Sequence, residues 1–320
     1  MKKIVEWFIN LYAVWILLAF VVGFIAPETF LWFTKGSLMT WALALVMLGM
    51  GLTLNLEEFK VLFNTPKVVV FAAIVQFTVM PFSGWLVAKM FNFPIEFTVG
   101  IILLAASPAG TASNVIAYIA RANVALSVVS TAVSTLLGIV MTPLLSMLLI
   151  GQLVPVDGWG LFWSVVQVVF IPVSIGLYLN YKFPAFVKSL GQTGPVVSTI
   201  AIIFISGGII APAVVGGRST LIEYAGVLTL ATAILHSLGF GLGYGVSRFF
   251  GYDHYTSKAV SCEAGMQNGG LAAVLARNNF PAHMPLVGVP AVFGSVLQTV
   301  IGGILATFWR FLPNSSNKNN

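Results

Sequence analysis

Charge is what this chain is short of. Lys, Arg, Asp and Glu make up 8% of its 320 residues, against about 25% in an ordinary soluble domain. Fifteen basic and nine acidic side chains cannot solvate the surface of a globular protein this size, so a soluble enzyme is excluded. Disorder is excluded as well, because 58% of the residues are hydrophobic. A single cysteine, Cys262, rules out a disulfide framework. There is no Cys/His cluster with zinc spacing and too few carboxylates for a calcium cage. The net charge of +6 is spread over short loops, which argues against a nucleic-acid surface. What remains is a polytopic membrane protein with a mean hydropathy of +0.99.

A membrane helix needs about 20 predominantly apolar residues. That ruler predicts ten spans, near 8–26, 37–55, 67–88, 95–121, 124–150, 160–181, 195–215, 222–250, 254–277 and 285–311. Lys2 and Lys3 before the apolar run Leu11 to Phe24 imitate a signal peptide. No small-x-small cleavage site follows, and the segment reads as an uncleaved first span. Gaps such as Asn180-Tyr181-Lys182 and Gly216-Gly217-Arg218 are too short for a soluble domain, and 314–320 reads as a disordered tail. Ten spans put both termini on one side. Eleven basic residues then fall on that side, among them Lys2, Lys3, Lys60, Arg121, Lys258 and Arg310; four fall on the other: Lys35, Lys89, Arg218 and Arg277. Positive charge stays in the cytoplasm, so both termini are expected there, in the inner membrane. Trp7, Trp32, Trp85, Trp159 and Trp309 fall near span ends, where indole rings favour the membrane interface.

The chain repeats itself. Residues 105–114 and 259–268 share their first Ala, their Ser and their final Asn at an offset of 154, and Ala120-Arg121-Ala122-Asn123 matches Ala276-Arg277-Asn278-Asn279 at 156. These segments lie in the fourth and ninth spans. Five spans separate them, so the second copy is inverted in the membrane, as in secondary transporters. The organisation expected is 1–151 and 152–313 as two five-helix repeats. Neither repeated segment can be a regular helix. Pro108 removes a backbone donor beside Gly110, and Gly265, Gly269 and Gly270 weaken the ninth span. Proline kinks and glycine packing are one reading; two broken helices lining a site is the better one, since both are rich in side-chain oxygen.

Of the nine acids, Glu263 alone lies deep in a span. An intramembrane carboxylate marks an ion or proton path. Gln267 and Asn268 follow it, and Ser113, Asn114, Ser127 and Thr131 add neutral oxygens. One carboxylate with neutral oxygens suits a hard monovalent cation. Ser127 and Thr131 share a helix face at i, i+4. Gln76 in the third span is a plausible ligand, whereas His236 in the eighth reads as a helix–helix hydrogen bonder. Gly239, Gly241, Gly243 and Gly245 read as close helix packing. The half-helices starting near Gly110-Thr111 and Asn268 would present positive ends to an organic anion.

The motifs Gly49-Met50-Gly51-Leu52-Thr53-Leu54, Gly110-Thr111-Ala112-Ser113-Asn114-Val115, Ala125-Leu126-Ser127 and Glu263-Ala264-Gly265-Met266-Gln267-Asn268 resemble those of the bile acid:sodium symporters, in particular a bacterial member. The resemblance spans nearly the whole chain. It implies an all-α fold of ten helices, with a panel domain (spans 1, 2, 6 and 7), a core domain (spans 3–5 and 8–10) and two broken crossing helices. It further implies two Na+ ions. One would be held by Ser113, Asn114, Ser127, Thr131 and Glu263. The other would be held by Gln76, Glu263, Ala264, Met266 and Gln267, with Ala264 and Met266 acting through carbonyls. Two departures stand out. Ala264 and Gly269 replace a Val and a Ser of the usual ninth-span motif. Gln298-Thr299 stands where several bacterial members carry His-Asn near the substrate.

The function expected is sodium-coupled import of an organic anion by alternating access, by a chain working as a monomer. The substrate expected is a small carboxylate such as pantoate or ketopantoate, or a bile acid such as taurocholate. A proton-coupled transporter, a passive channel and an intramembrane enzyme are the alternatives. The last lacks a nucleophile–base pair or a metal set.

Overall fold

The computed structural model describes residues 5, 7, 8, 11–55, 64–190 and 193–311. Lys2, Lys3, Lys60 and the tail 314–320 lie outside them. The described chain is helical, and its one β feature is an isolated bridge. The principal helices are α1 (Tyr12–Ile25), α2 (Leu38–Thr53), α3 (Pro66–Phe91), α4 (Ile95–Ala105), α5 (Ala112–Ile119), α6 (Val124–Ile150), α7 (Gly158–Lys182), α8 (Thr193–Phe249), α9 (His254–Gly265), α10 (Gly269–Asn279) and α11 (Val289–Phe311). Among the described residues, α3, α6, α7, α8 and α11 are each long and apolar enough to cross a bilayer, and α1 with Glu28–Thr34 makes a sixth candidate bent by 109°.

Local chemistry sets the boundaries. Asn123, Asp157, Asp253 and Asn268 each cap a helix by accepting a backbone N–H three residues on. Pro66 sits in the first turn of α3, and Asn92 ends that helix in the left-handed region at φ 46°. The Gly216-Gly217-Arg218 gap is a kink: α8 runs from Thr193 to Phe249 as two helical arms that meet at Gly217, which leaves helical geometry at φ −157° and ψ 38°. The two glycines pack there on Pro285 and Leu286: a Cβ on Gly216 would lie 2.8 Å from the Pro285 ring and one on Gly217 3.1 Å from the Leu286 side chain.

α8 packs on α1, α2, α3, α9 and α11. α2 and α7 touch backbone to backbone: a Cβ on Gly51 would lie 2.3 Å from the Val173 carbonyl oxygen, and one on Gly176 2.4 Å from that of Leu48. Small residues allow such approach where apolar lipid offers helices no hydrophobic drive to associate. The broken pairs α4/α5 and α9/α10 lie among α3, α6 and α11. Trp7, Trp32, Trp85 and Trp159 are exposed, as interface residues should be. Trp309 is not: it is 5% exposed and stacks on Tyr244. The end of α10 is clasped to its neighbours by three bonds from consecutive residues. Arg277 donates to the Thr34 carbonyl at 3.4 Å, Asn278 to the Thr40 hydroxyl at 3.0 Å, and Asn279 accepts from the Ser164 hydroxyl at 3.0 Å.

Candidate functional site: a carboxylate at two crossed helix breaks

The breaks at 106–111 and 266–268 meet in the middle of the molecule. Each breaks a hydrogen-bond ladder, and in lipid a freed backbone group costs several kcal/mol. They satisfy one another. The Gly110 N–H donates to the Met266 carbonyl at 2.9 Å, the Asn268 N–H to that of Pro108 at 2.8 Å, and Ala109 and Gln267 form an antiparallel bridge. Gly110 must be glycine here, since a Cβ would stand 2.8 Å from the Gln267 oxygen. The crossing brings the C-terminal ends of α4 and α9 and the N-terminal ends of α5 and α10 to one place, with α5 packed on α9 and α10 on α4. Carbonyl ends attract cations and amide ends attract anions.

Glu263 sits in the last turn of α9, 1% exposed. Thr131 donates to its Oε2 at 2.8 Å and Ser113 at 3.3 Å, while Ser134 donates to Oε1 at 3.0 Å. Ser127 donates to the Asn114 amide oxygen at 2.8 Å. The structure thus gathers Ser113, Asn114, Ser127, Thr131 and Glu263 into one cluster. Its proton count is short. The Thr131 oxygen lies within 3.3 Å of Ser113 Oγ, Asn114 Oδ1, the Ser127 carbonyl and Glu263 Oε2, and a hydroxyl has one proton to give. Acceptors outnumber donors around a buried carboxylate, which is a setting for a hard cation. Ser134 was not foreseen. The signal was present, because Ser127, Thr131 and Ser134 fall at i, i+4 and i+7 on one face of α6.

The second cluster lies across the crossing. Gln76 Nε2 donates to Gln267 Oε1 at 2.9 Å and to the Ser107 carbonyl at 3.3 Å. Gln267 Nε2 reaches the Ala264 carbonyl at 3.1 Å. Gln76 Oε1 is buried with no partner. An orphaned buried acceptor beside a helix end rich in carbonyls again suits a cation. Met266 contributes its carbonyl to this region, already bonded to Gly110.

The residues expected at the substrate are less uniform. Thr111 is exposed at the start of α5, with no side-chain cap bond. Asn268 turns its oxygen inward to cap α10 and leaves Nδ2 facing the Met47 sulfur at 3.9 Å. Gln298 is buried and bound to its neighbour's backbone. It accepts from the Gln267 N–H at 2.7 Å and donates to the Gln267 carbonyl at 2.9 Å. Thr299 bonds back to the Ser295 carbonyl. Gln298 therefore pins the break that carries Gln267, and Thr111 and Asn268 are the side chains left at the amide ends. Among the described residues no group of three or more His, Cys, Asp or Glu could hold a metal ion.

Residues 40–222 match the model of the sodium bile acid symporter family. The chain belongs to this family. Among its relatives is the probable sodium/metabolite cotransporter BASS1, chloroplastic, of Arabidopsis thaliana, 39% identical over 93% of this chain and 73% of that protein. The uncharacterized sodium-dependent transporter YocS of Bacillus subtilis is 37% identical over 96% of this chain and 93% of its own length. Membership makes this family protein a sodium-coupled membrane transporter rather than an enzyme.

Proposed function

We propose that the protein is a symporter that uses sodium to import an organic anion by alternating access. The observation that carries this reading is the buried, acceptor-rich cluster around Glu263 at the crossing of two broken helices. One sodium ion is held by Ser113, Asn114, Ser127, Thr131 and Glu263. A second is held by Gln76, Glu263, Gln267 and the carbonyls of Ala264 and Met266. The anion docks at the amide ends near Gly110, Thr111 and Asn268. Gln298 supports that surface from behind and Thr299 borders it.

The substrate we favour is a small carboxylate such as pantoate or ketopantoate; taurocholate is the bile-acid alternative. The ten-span reading counts the two arms of α8 separately and takes α4/α5 and α9/α10 as one broken span each. Panel helices α1, α2, α7 and the first arm of α8 then flank a core of the rest. Residues 1–151 and 152–313 are inverted repeats, the termini are cytoplasmic, and one chain suffices for transport.

Two sodium ions, the Glu263 carboxylate and a monoanionic substrate sum to a neutral loaded core. One net positive charge then enters per cycle, and a potential contributes about 2.3 kcal/mol per 100 mV. Uptake into proteoliposomes should require a sodium gradient, rise with an inside-negative potential and show a sodium Hill coefficient above one. Voltage-insensitive uptake with one sodium per monoanion would remove the second ion. Uptake driven by a proton gradient without sodium would overturn the reading.

A further inference from the structure

The ninth-span break leaves the carbonyls of α9 without their usual partners, and each peptide unit across it is pinned in a different way. The unit joining Met266 and Gln267 is held at both ends, its carbonyl by the Gly110 N–H and its N–H by Gln298. The next is held by Gln298 and Pro108. The unit joining Gly265 and Met266 has one side-chain partner: His236, whose Nδ1 lies 2.9 Å from the Gly265 oxygen. A carbonyl can only accept, so Nδ1 carries the proton and Nε2 bears a lone pair. His236 is fully buried and Nε2 has no partner. The ring is wedged in place, since a Cβ on Gly294 would stand 2.9 Å from Nε2.

The fourth-span break uses the same device. Gln76 in α3 donates to the carbonyl of Ser107, just past the end of α4. His236 does the same from α8 to the end of α9. Both side chains leave a buried acceptor unpartnered, the amide oxygen of Gln76 and the imidazole nitrogen of His236.

From this geometry we infer that His236 is a positioning residue for the second sodium site. By holding the Gly265 carbonyl, it fixes the plane of the Gly265–Met266 peptide, which joins the Ala264 carbonyl to the Met266 carbonyl already held by the Gly110 N–H, and so sets the direction of the Ala264 carbonyl relative to it. Gly265 has no Cβ to resist rotation, and the imidazole supplies the restraint. The inference rests on the two-sodium reading above.

The test pairs three variants with sodium titrations of uptake and of thermal stability. In His236→Leu the restraint is lost. The sodium Hill coefficient should fall to one and the apparent affinity by about tenfold, the usual scale for a lost buried hydrogen bond. In His236→Asn the amide nitrogen occupies the place of Nδ1, and both quantities should return. In His236→Gln the nitrogen lies one bond farther, at the place of Nε2, and they should not. Should the Leu variant fail to fold, the Asn-against-Gln contrast still decides. In parallel, 15N spectra of histidine-labelled protein should show an Nδ1-protonated ring that vanishes in His236→Asn; two other histidines, His254 and His283, serve as references. A wild-type Hill coefficient of one would sink the two-sodium reading, and this inference with it. Two sodium ions in the wild type with an unaltered Leu variant, equal behaviour of Asn and Gln, or an Nε2-protonated His236 would overturn the inference alone.

Discussion

Replacing Glu263 by Gln changes one oxygen to an amide and removes the charge, with almost no change in volume. The three hydroxyls that donate to the carboxylate, on Thr131, Ser134 and Ser113, can rotate to accept from the new NH2 group, so the fold should persist. The cation has no such recourse. At about 4 Å and an effective dielectric near 20, a unit charge pair is worth about 4 kcal/mol. At 1.4 kcal/mol per decade, that is roughly a thousandfold in sodium affinity. The assay is the sodium dependence of thermal unfolding in detergent, beside uptake in proteoliposomes. A site filled at 100 times its dissociation constant adds about 2.7 kcal/mol of stability. The Gln variant should lose that increment while remaining monodisperse and folded without sodium, and its uptake should vanish. Glu263→Ala should fail similarly. A Gln variant with the sodium midpoint and uptake of the wild type would refute the assignment of the charge.

Three further perturbations separate the parts of the site. Ser134→Ala removes a hydrogen bond to a charged group, worth about 1.5–3 kcal/mol, and should weaken sodium roughly tenfold or more in uptake titrations without altering anion affinity at saturating sodium. Thr111→Val should weaken the anion and spare sodium, read as sodium-induced stabilisation that no longer responds to substrate; the reverse pattern would place the two sites wrongly. Pairing Thr40→Cys with Asn278→Cys and joining them with a short bis-maleimide should stop uptake while sodium-dependent stabilisation survives. The only native thiol, Cys262, is buried, so it should leave the labelling background clean. Full uptake by the cross-linked protein would show that the clasp at the end of α10 need not open.

Much of this site was legible because it breaks rules that membrane helices otherwise keep. Pro108 and Gly265 cannot sit mid-span without a reason, and Glu263 is too costly to be incidental. The half-helix starts that frame the breaks, at Thr111 and Asn268, followed from the same reading. What escaped was set by partners distant in sequence. Gln298 binds the backbone of a residue 31 positions earlier, and no local pattern announces that. Trp309 was read as an interface ring because it ends a span, yet Tyr244 stacks on it. The break at Gly217 was legible as a gap between spans, but the packing of Pro285 and Leu286 on the two glycines there is something hydropathy along one strand of text does not record. Ser134 was missed for a simpler reason: the face of α6 was followed for one turn and not two.

Because each break hydrogen-bonds to the other, neither half of the chain is complete when it leaves the ribosome. Gly110 and Met266 are 156 residues apart. At about 5–20 residues per second, their pairing waits roughly 8–30 s after the first is synthesised. Throughout that interval the open backbone of 106–111 has no protein partner from the second half, and bare exposure to hydrocarbon would cost several kcal/mol. The α4/α5 pair should therefore linger beside the insertion machinery and enter the bilayer fully only when α9/α10 arrives. A chain truncated after residue 151 has nothing to offer Pro108 or Gly110 and should be degraded. Co-expressing residues 152–320 as a separate chain should rescue it.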